Sequence, residues 1–149
     1  MAPTVSFWDT GEFIATSHIL GIPHPPGSPL FLLIGKLFTL IPFSYDIAFR
    51  FNIFSPIISA LTVSLLFLIC NLFINRVDKN DDTRFFKMWS SFTASLTFAF
   101  THSQWFNAVE TEVYAFSGFM TAFVVYLIML WSKNIHKDNH VVYLIIIAY

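Results

Sequence analysis

The stretch that decides the fold is residues 51–75, FNIFSPIISALTVSLLFLICNLFIN, which contains no Asp, Glu, Lys or Arg. A helix of this length extends about 37 Å, more than the roughly 30 Å hydrocarbon core of a bilayer. We therefore predict that residues 51–75 form a membrane-spanning helix, and we expect Pro56 to kink it.

The composition of the whole chain agrees with a membrane environment. Of its 149 residues, 56% are hydrophobic and only 11% are charged, whereas soluble domains carry about 25% charged residues. The 19 phenylalanines suit lipid-facing helices and interfacial belts. A net charge of −1 provides no basic field, so we expect membrane lipids and no nucleic acid as partners.

Outward from this helix, apolar stretches alternate with short polar loops. The stretches 88–106 and 113–132 are each long enough to span, and 141–149 is the start of a further span. Residues 1–149 are thus predicted to be a single transmembrane domain. Its fold class is an all-α membrane protein, a polytopic helical bundle.

Residues 1–50 are predicted to form an external loop that contains short helices. A capping-box-like start predicts a helix over residues 7–20, and three prolines then forbid helix around His24. Residues 29–42 form an apolar helix of only about 21 Å, too short to cross. Its length and the central Lys36 favour an interfacial position along the membrane surface.

The distribution of positive charge predicts the orientation of the chain. Lys and Arg cluster in the loops 76–87 and 133–140, which the positive-inside rule places on the cytoplasmic side. The acidic turn 107–112 then lies outside, and so do residues 1–28 if 29–42 is interfacial. If 29–42 instead crossed the membrane, residues 1–28 would be cytoplasmic.

Asp9 and Glu12 are the first candidates for chemistry. They stand three residues apart in WDTGEF, residues 8–13, so a helix places both carboxylates on one face. Paired carboxylates can deprotonate a hydroxyl or hold a divalent cation. The alternative is a helix-start pair that only interacts favourably with the helix dipole.

The remaining candidates also have structural alternatives. Glu110 and Glu112 face the same way only if the backbone between them is extended or forms a turn. They could then clamp a substrate or a metal, and the alternative is a solvated acid pair. His24, in a proline-rigid loop, suits a phosphate or a sugar hydroxyl, or is a turn histidine without a task. Arg50 could contact a lipid phosphate or simply snorkel to the interface.

Three stretches together resemble a known family. They are PTVSFWDTGEFI at residues 3–14, HPPGSPLF at 24–31 and WFNAVETEVY at 105–114. They resemble the bacterial protein O-mannosyltransferase-like family (domain of unknown function 2723), which is related to the GT-C glycosyltransferases. The resemblance covers nearly the whole chain, with the motifs in family order and spacing.

The resemblance implies a partial GT-C-type fold whose external loop contains membrane-parallel helices. It implies an enzyme that transfers a sugar, mannose for example, from a polyprenyl-phosphate donor to a protein hydroxyl. Multi-pass insertion in a bacterial inner membrane, with the active face periplasmic, is implied as well.

The resemblance also implies roles for individual residues. Asp9 would be the general base, with Glu12 assisting or orienting it. The substrate-binding residues would be His24, Arg50, Glu110, Glu112 and Tyr114. A divalent metal, if one is used, would be held by Asp9, Glu110 and Glu112, and no other cofactor is expected.

The family's first transmembrane helix and its later helices have no counterpart here, so we expect a piece of a longer protein that is inactive by itself. The alternative function is a membrane transport or assembly module whose acidic external loops bind cations. The absence of charge in 57–70 and 118–130 weakens the transport alternative.

Overall fold

A computed structural model describes residues 5, 9–25, 27–42, 44–136 and 140–148. Within these ranges every regular element is helical, as predicted. The helices are α1 (Thr10–Ile19), α2 (Pro29–Leu40), α3 (Ile47–Asn52), α4 (Phe54–Val77), α5 (Arg84–Ala99), α6 (His102–Val109), α7 (Val113–Asn134) and α8 (His140–Ala148), with a 3₁₀ turn at Asp81–Thr83. The first two residues of the helix predicted at 7–20 lie outside the described ranges.

The chain forms two compact units. The first contains Met1–Ala60 and Thr101–Ser117, and the second contains Leu61–Phe100 and Gly118–Tyr149. The candidate residues for chemistry all belong to the first unit, whereas the two basic loops belong to the second.

Phenylalanines in tilted and edge-to-face contact form the core of the first unit. Phe31 lies at the centre, with its ring centroid 5.4 to 6.1 Å from those of Phe13, Phe51, Phe54 and Phe116. Phe31 and Phe51 are 2% and 0% exposed. Contacts of this kind combine large apolar burial with favourable ring geometry. They fix α1, α2 and α3 against the first turns of α4 and α7.

Helix α2 has one packed and one exposed apolar face. Gly35 lies on the packed face, where the Phe51 ring approaches so closely that a Cβ would be 2.3 Å from its Cζ. The exposed leucines are 53–60% accessible and recur at helical spacing: Leu30, Leu33, Leu37 and Leu40. The structure thus has a helix, Pro29–Leu40, within the stretch 29–42, and its position along a membrane surface stays a prediction.

Two helices are long and apolar enough to cross a membrane, Ile47–Val77 and Val113–Asn134. In the most apolar window of each, only 17% of the residues are buried, so most of these side chains point outward, unlike those of a soluble core helix. The two helices indicate association with a membrane. They cover the spans predicted at 51–75 and 113–132.

The first of these two helices is interrupted near its start. α3 ends at Asn52 and α4 begins at Phe54, so the interruption falls at Ile53, one turn before Pro56. Proline has no N–H to donate, and its ring displaces the carbonyl four residues earlier. We predicted a kink at Pro56, and the structure has a break at Ile53, in the turn before the proline.

The structure differs from the prediction at 88–106. This stretch is divided between α5 and α6, with the break at Phe100 and Thr101. Thr101 has extended backbone, and its hydroxyl accepts a hydrogen bond from the Gln104 N–H at 3.4 Å. The pattern Thr-x-x-Gln is a helix-start signal that the hydropathy of the region obscured. α5, with 16 residues, extends only about 24 Å.

Candidate functional site

The start of α1 presents two carboxylates on one side, as predicted. Asp9 occupies the N-cap position, but its side chain makes no capping hydrogen bond within α1. It is 53% exposed, so its carboxylate is available to other groups. Glu12 follows in the first turn and is 37% exposed.

His24 returns to this helix start because α1 ends abruptly. Leu20 adopts the left-handed conformation (φ 56°), and the Gly21 N–H then donates to the Thr16 carbonyl at 2.8 Å. This closure of the C-terminal turn reverses the chain. The proline-containing loop that follows brings His24 back to the carboxylates of Asp9 and Glu12.

The imidazole of His24 lies between the two carboxylates. Its backbone N–H donates to Glu12 Oε1 at 2.7 Å, and its Nδ1 donates to Glu12 Oε2 at 2.8 Å. Its Nε2 is 3.8 Å from Asp9 Oδ2, and its ring packs on Phe13 with centroids 5.9 Å apart. Sequence reasoning named all three polar residues but did not predict that Glu12 holds His24.

This contact shifts the titration of both partners. The hydrogen bond that the His24 ring donates to Glu12, with smaller Coulombic contributions from Glu12, Asp9 and Glu112, raises the pKa of His24. The same hydrogen bond is the main reason that the pKa of Glu12 is lowered. The pair therefore favours a carboxylate next to an imidazolium.

The turn Glu110–Glu112 is fixed by a buried hydrogen bond. Thr111 donates through Oγ1 to Asn52 Oδ1, and both residues are 0% exposed. Glu110 has extended backbone (φ −123°, ψ 153°), the condition under which Glu110 and Glu112 face the same way. Sequence reasoning missed Asn52 and Thr111 because their contact joins positions 59 residues apart.

Burial and like charge raise the pKa of Glu112. Glu112 is 8% exposed, and burial contributes most to the rise, followed by the charges of Asp9 and Glu110. A hydrogen bond with Thr10 partly opposes it. Within the described part of the chain, Oε2 of Glu110 is buried without a hydrogen-bond partner. This side of the site therefore carries negative charge that the neighbouring residues do not fully compensate.

Two cavities meet at Asp9, Glu112 and Tyr114, which line both. One, of about 180 Å³, also contacts His24 and Ser28. The other, of about 190 Å³, is bounded in addition by Phe106, Asn107 and Glu110. The structure thus brings together five predicted site residues, Asp9, His24, Glu110, Glu112 and Tyr114, and Glu12 joins them through His24.

Arg50 is not among the residues that line these cavities. Its Nε donates to the Ser44 carbonyl at 2.5 Å, and its Nη1 donates to the Thr39 carbonyl at 3.0 Å. Both carbonyls belong to the region around the connection from α2 to α3. The guanidinium therefore holds the loop between α2 and α3 in place. Contact of Arg50 with a substrate phosphate stays a prediction.

Three side chains are arranged so that they could share a metal ion. Asp9, Glu12 and His24 each offer one ligand atom, and these atoms lie within 4.8 Å of one another. Carboxylate oxygens with one imidazole nitrogen suit several divalent cations. The predicted metal set of Asp9, Glu110 and Glu112 shares only Asp9 with this group.

Comparisons with known proteins support the resemblance to protein O-mannosyltransferases, while the bacterial origin and the GT-C relation stay predictions. The family model described as "Protein O-mannosyl-transferase TMEM260 N-terminal domain" matches residues 9–149. "Protein O-mannosyl-transferase tmem260" of Dictyostelium discoideum is 27% identical over 133 residues, which are 88% of this chain and 15% of the relative. "Protein O-mannosyl-transferase TMEM260" of Mus musculus is 47% identical over 60 residues, 40% of this chain and 8% of the relative.

The chain thus spans a small part of the length of these curated relatives. No solved structure matches it significantly. The family match nevertheless covers all of the candidate site, from Asp9 at the start of α1 to Tyr114 at the start of α7. The chain belongs to the family of protein O-mannosyl-transferase TMEM260 N-terminal domains.

Proposed function

We propose that this chain supplies the acidic part of the active site of a membrane glycosyltransferase of the GT-C type. The enzyme transfers mannose from a polyprenyl-phosphate donor to a protein hydroxyl on the non-cytoplasmic face of the membrane. Family membership supports transfer to protein. The observation that carries the proposal is the convergence of Asp9, His24 and the Glu110–Glu112 turn on two adjoining cavities.

Asp9 is the residue best placed to be the general base. Its carboxylate is exposed, makes no cap to its own helix and borders both cavities. As the acceptor hydroxyl oxygen bonds to the anomeric carbon, the bond from that carbon to the donor phosphate breaks. The hydroxyl proton passes to Asp9, and the polyprenyl phosphate leaves with the electron pair.

His24 and Glu12 act on the leaving group in this proposal. The two hydrogen bonds from His24 to Glu12 fix the ring and favour its charged form. An imidazolium at the cavity wall stabilises negative charge that develops on the departing phosphate. Glu12 is therefore a positioning residue, which acts through His24.

Glu110, Glu112 and Tyr114 define the acceptor side. Together with Asn107 they line the cavity of about 190 Å³ that also borders Asp9. Carboxylate and phenol oxygens there can orient a hydroxyl towards the base. The buried hydrogen bond from Thr111 to Asn52 gives this side a fixed geometry.

A divalent cation fits the donor set at the helix start. Asp9, Glu12 and His24 would hold it, because their ligand atoms lie within 4.8 Å of one another. When bound, such an ion would supply positive charge next to the donor phosphate. Because only a neutral imidazole can bind a metal, the ion would take over from the His24 imidazolium the role of positive charge beside the phosphate.

The sidedness of the site is part of the proposal. The C-terminal ends of α4 and α7 meet through the hydrogen bond from Arg76 to Ser132, which supports one common side for the basic loops 76–87 and 133–140 although 88–106 is not one continuous helix. The positive charge of these loops supports a cytoplasmic location for that side. With 29–42 interfacial, the acidic site then faces the opposite space. The bacterial inner membrane with a periplasmic active face stays a prediction from the resemblance.

Sugar transfer by the full-length protein tests the proposal. The protein is reconstituted with polyprenyl-phosphate mannose and a Ser/Thr-containing peptide, and wild type is compared with Asp9→Asn. We expect a loss of about 10²–10⁴-fold, the usual contribution of a general base. Asp46→Asn is the matched control, because Asp46 caps α3 and asparagine is an equally good cap; it should retain activity within about twofold.

The outcomes are distinguishable. Transfer that survives Asp9→Asn removes Asp9 as the base and directs attention to Glu112. No transfer from any lipid-linked donor by wild-type protein that is folded would refute the glycosyltransferase proposal. Saturable cation binding in that case would favour the transport or assembly alternative.

A further inference from the structure

A polar cleft in the second unit is lined by residues outside the acidic motifs. It has a volume of about 400 Å³ and is lined at the C-terminal ends of α4 and α7. The polar and charged lining residues are Asn71, Asn75, Arg76, Ser132 and Lys133. Leu72 and Met129 complete the lining with apolar surface.

Arg76 connects the two walls of this cleft. It lies in the last turn of α4, and its Nη1 donates to Ser132 Oγ on α7 at 2.8 Å. A guanidinium has five N–H donors in a rigid fork, so this single bond orients the group and leaves donors for a ligand. Lys133, in the last turn of α7, adds a second positive charge to the same cleft.

The cleft carries the positive charges of Arg76 and Lys133, and its described lining residues provide no negative charge to balance them. Among the described residues that line it, none is acidic. Asp78, which follows α4, is occupied by Thr83 at 2.6 Å and by the ammonium of Lys87 at 3.3 Å. These contacts, with the Asn80 N–H, lower the pKa of Asp78 to about 2. Two cations in one cleft repel each other unless an anion lies between them.

We propose that this cleft binds the phosphate group of an anionic lipid or of a free phosphate compound. The guanidinium fork matches two phosphate oxygens, and the Lys133 ammonium contributes a point charge. The Asn75 amide already donates to the carbonyl and side-chain oxygens of Asn71, so the Asn71 amide N–H groups and the Ser132 hydroxyl would donate to the phosphate oxygens.

The position of the cleft favours a lipid as the source of the phosphate. Arg76 and Lys133 lie at the ends of the two helices that are long enough to cross a membrane. Such helix ends are at the level of lipid head groups, and basic pockets there recognise anionic lipids. Leu72 and Met129 would contact the first carbons of an acyl chain.

Binding to the full-length protein in detergent tests this site. The probes are short-chain phosphatidic acid, short-chain phosphatidylcholine and inorganic phosphate, each titrated against thermal stability. We expect phosphatidic acid to bind wild type and to bind the double variant R76Q/K133Q at least about tenfold more weakly, since each lost contact is charge-assisted. The control is K79Q/R84Q, which removes the same charge from two exposed residues outside the cleft and should bind within about twofold of wild type.

The probes identify the source of the phosphate. Competition by inorganic phosphate at similar concentrations assigns a free phosphate, and its failure to compete assigns a lipid head group. Three results would overturn the proposal. They are equal weakening of binding in both double variants, unchanged binding in R76Q/K133Q, and wild type that binds neither phosphatidic acid nor inorganic phosphate. Lys133→Gln alone leaves the bond from Arg76 to Ser132 intact and should still weaken binding, so a folding defect of the double variant does not remove the test.

Discussion

Replacing Gly35 by alanine tests how tightly the first unit is packed beneath the candidate site. The added Cβ would lie 2.3 and 2.6 Å from two carbons of the Phe51 ring and 2.9 Å from Ser17 Oγ. The ring has no free space to move into, because Phe51 is 0% exposed and packs against Phe31 and Phe54. The methyl group must therefore separate α2 from its neighbours.

The magnitude follows from two opposing terms. Forcing a carbon into a filled core costs about 1–3 kcal/mol, while replacing a helical glycine by alanine contributes up to about 1 kcal/mol of stability. Gly118, in α7, is the matched control, since a Cβ there has no atom within 4 Å. Gly118→Ala keeps only the favourable term, so the two variants should differ by about 1–3 kcal/mol in free energy of unfolding.

Thermal unfolding of the two variants in detergent measures this difference. For a chain of this length, about 2–4 °C of Tm corresponds to each kcal/mol, so Gly35→Ala should unfold about 2–12 °C below Gly118→Ala. Near-ultraviolet circular dichroism would follow the loss of the packed aromatic rings. A Gly35→Ala protein as stable as Gly118→Ala would refute the close packing of α2 on α3.

Two further predictions concern the site itself. The pKa of His24 is raised and that of Glu12 is lowered. Their pairing therefore stabilises the fold fully between pH 4.5 and 6.5, the pKa values of the two groups in the unfolded chain. This stability is lost as the pH rises through the folded pKa of His24 or falls through the folded pKa of Glu12. In Glu12→Gln, imidazole NMR should show the pKa of His24 falling towards 6.5, and an unchanged value would disprove the contact. Thr111→Val removes a buried donor to Asn52 and should cost about 1–3 kcal/mol of stability and reduce sugar transfer; Tm and activity equal to wild type would show that the bond does not position the turn.

The long helices could be predicted because their signal is local. Residues 51–75 and 113–132 are apolar over at least about the 30 Å thickness of the hydrocarbon core, and helix is the structure that satisfies such a backbone in lipid. The described helices α4 and α7 cover most of these stretches. The short helix at 29–42 was predictable from its uninterrupted apolar run, with Pro29 as a natural first residue.

The division of 88–106 shows where hydropathy fails. Average apolarity over the stretch is compatible with one span, but a single N-cap at Thr101 ends the continuity. A hydroxyl that accepts from a backbone N–H competes with the helical hydrogen bond at that position. Capping therefore decided the local structure, and the sequence pattern Thr-x-x-Gln was the available signal.

The sequence predicts which residues belong to the site better than it predicts which of them contact one another. Asp9, Glu12, His24, Glu110 and Glu112 were all named from their motifs. Which of them touch depends on contacts between distant positions, such as the approach of His24 to Glu12 after the reversal at Leu20. Periodicity describes neighbours along one helix and contains no information on such pairs.

The candidate site is strongly acidic, so a phosphate-containing substrate can bind there only beside a positively charged group. Four carboxylates and one imidazole lie together, and the pKa of Glu112 is raised by burial first and then by the charges of Asp9 and Glu110. A phosphate entering this group would be repelled unless positive charge lies on its side of the site. His24 is the cationic group that the described residues offer there, and Glu12 favours its charged form. Glu12 would therefore support transfer without touching either substrate, and Glu12→Gln should impair donor binding more than acceptor binding.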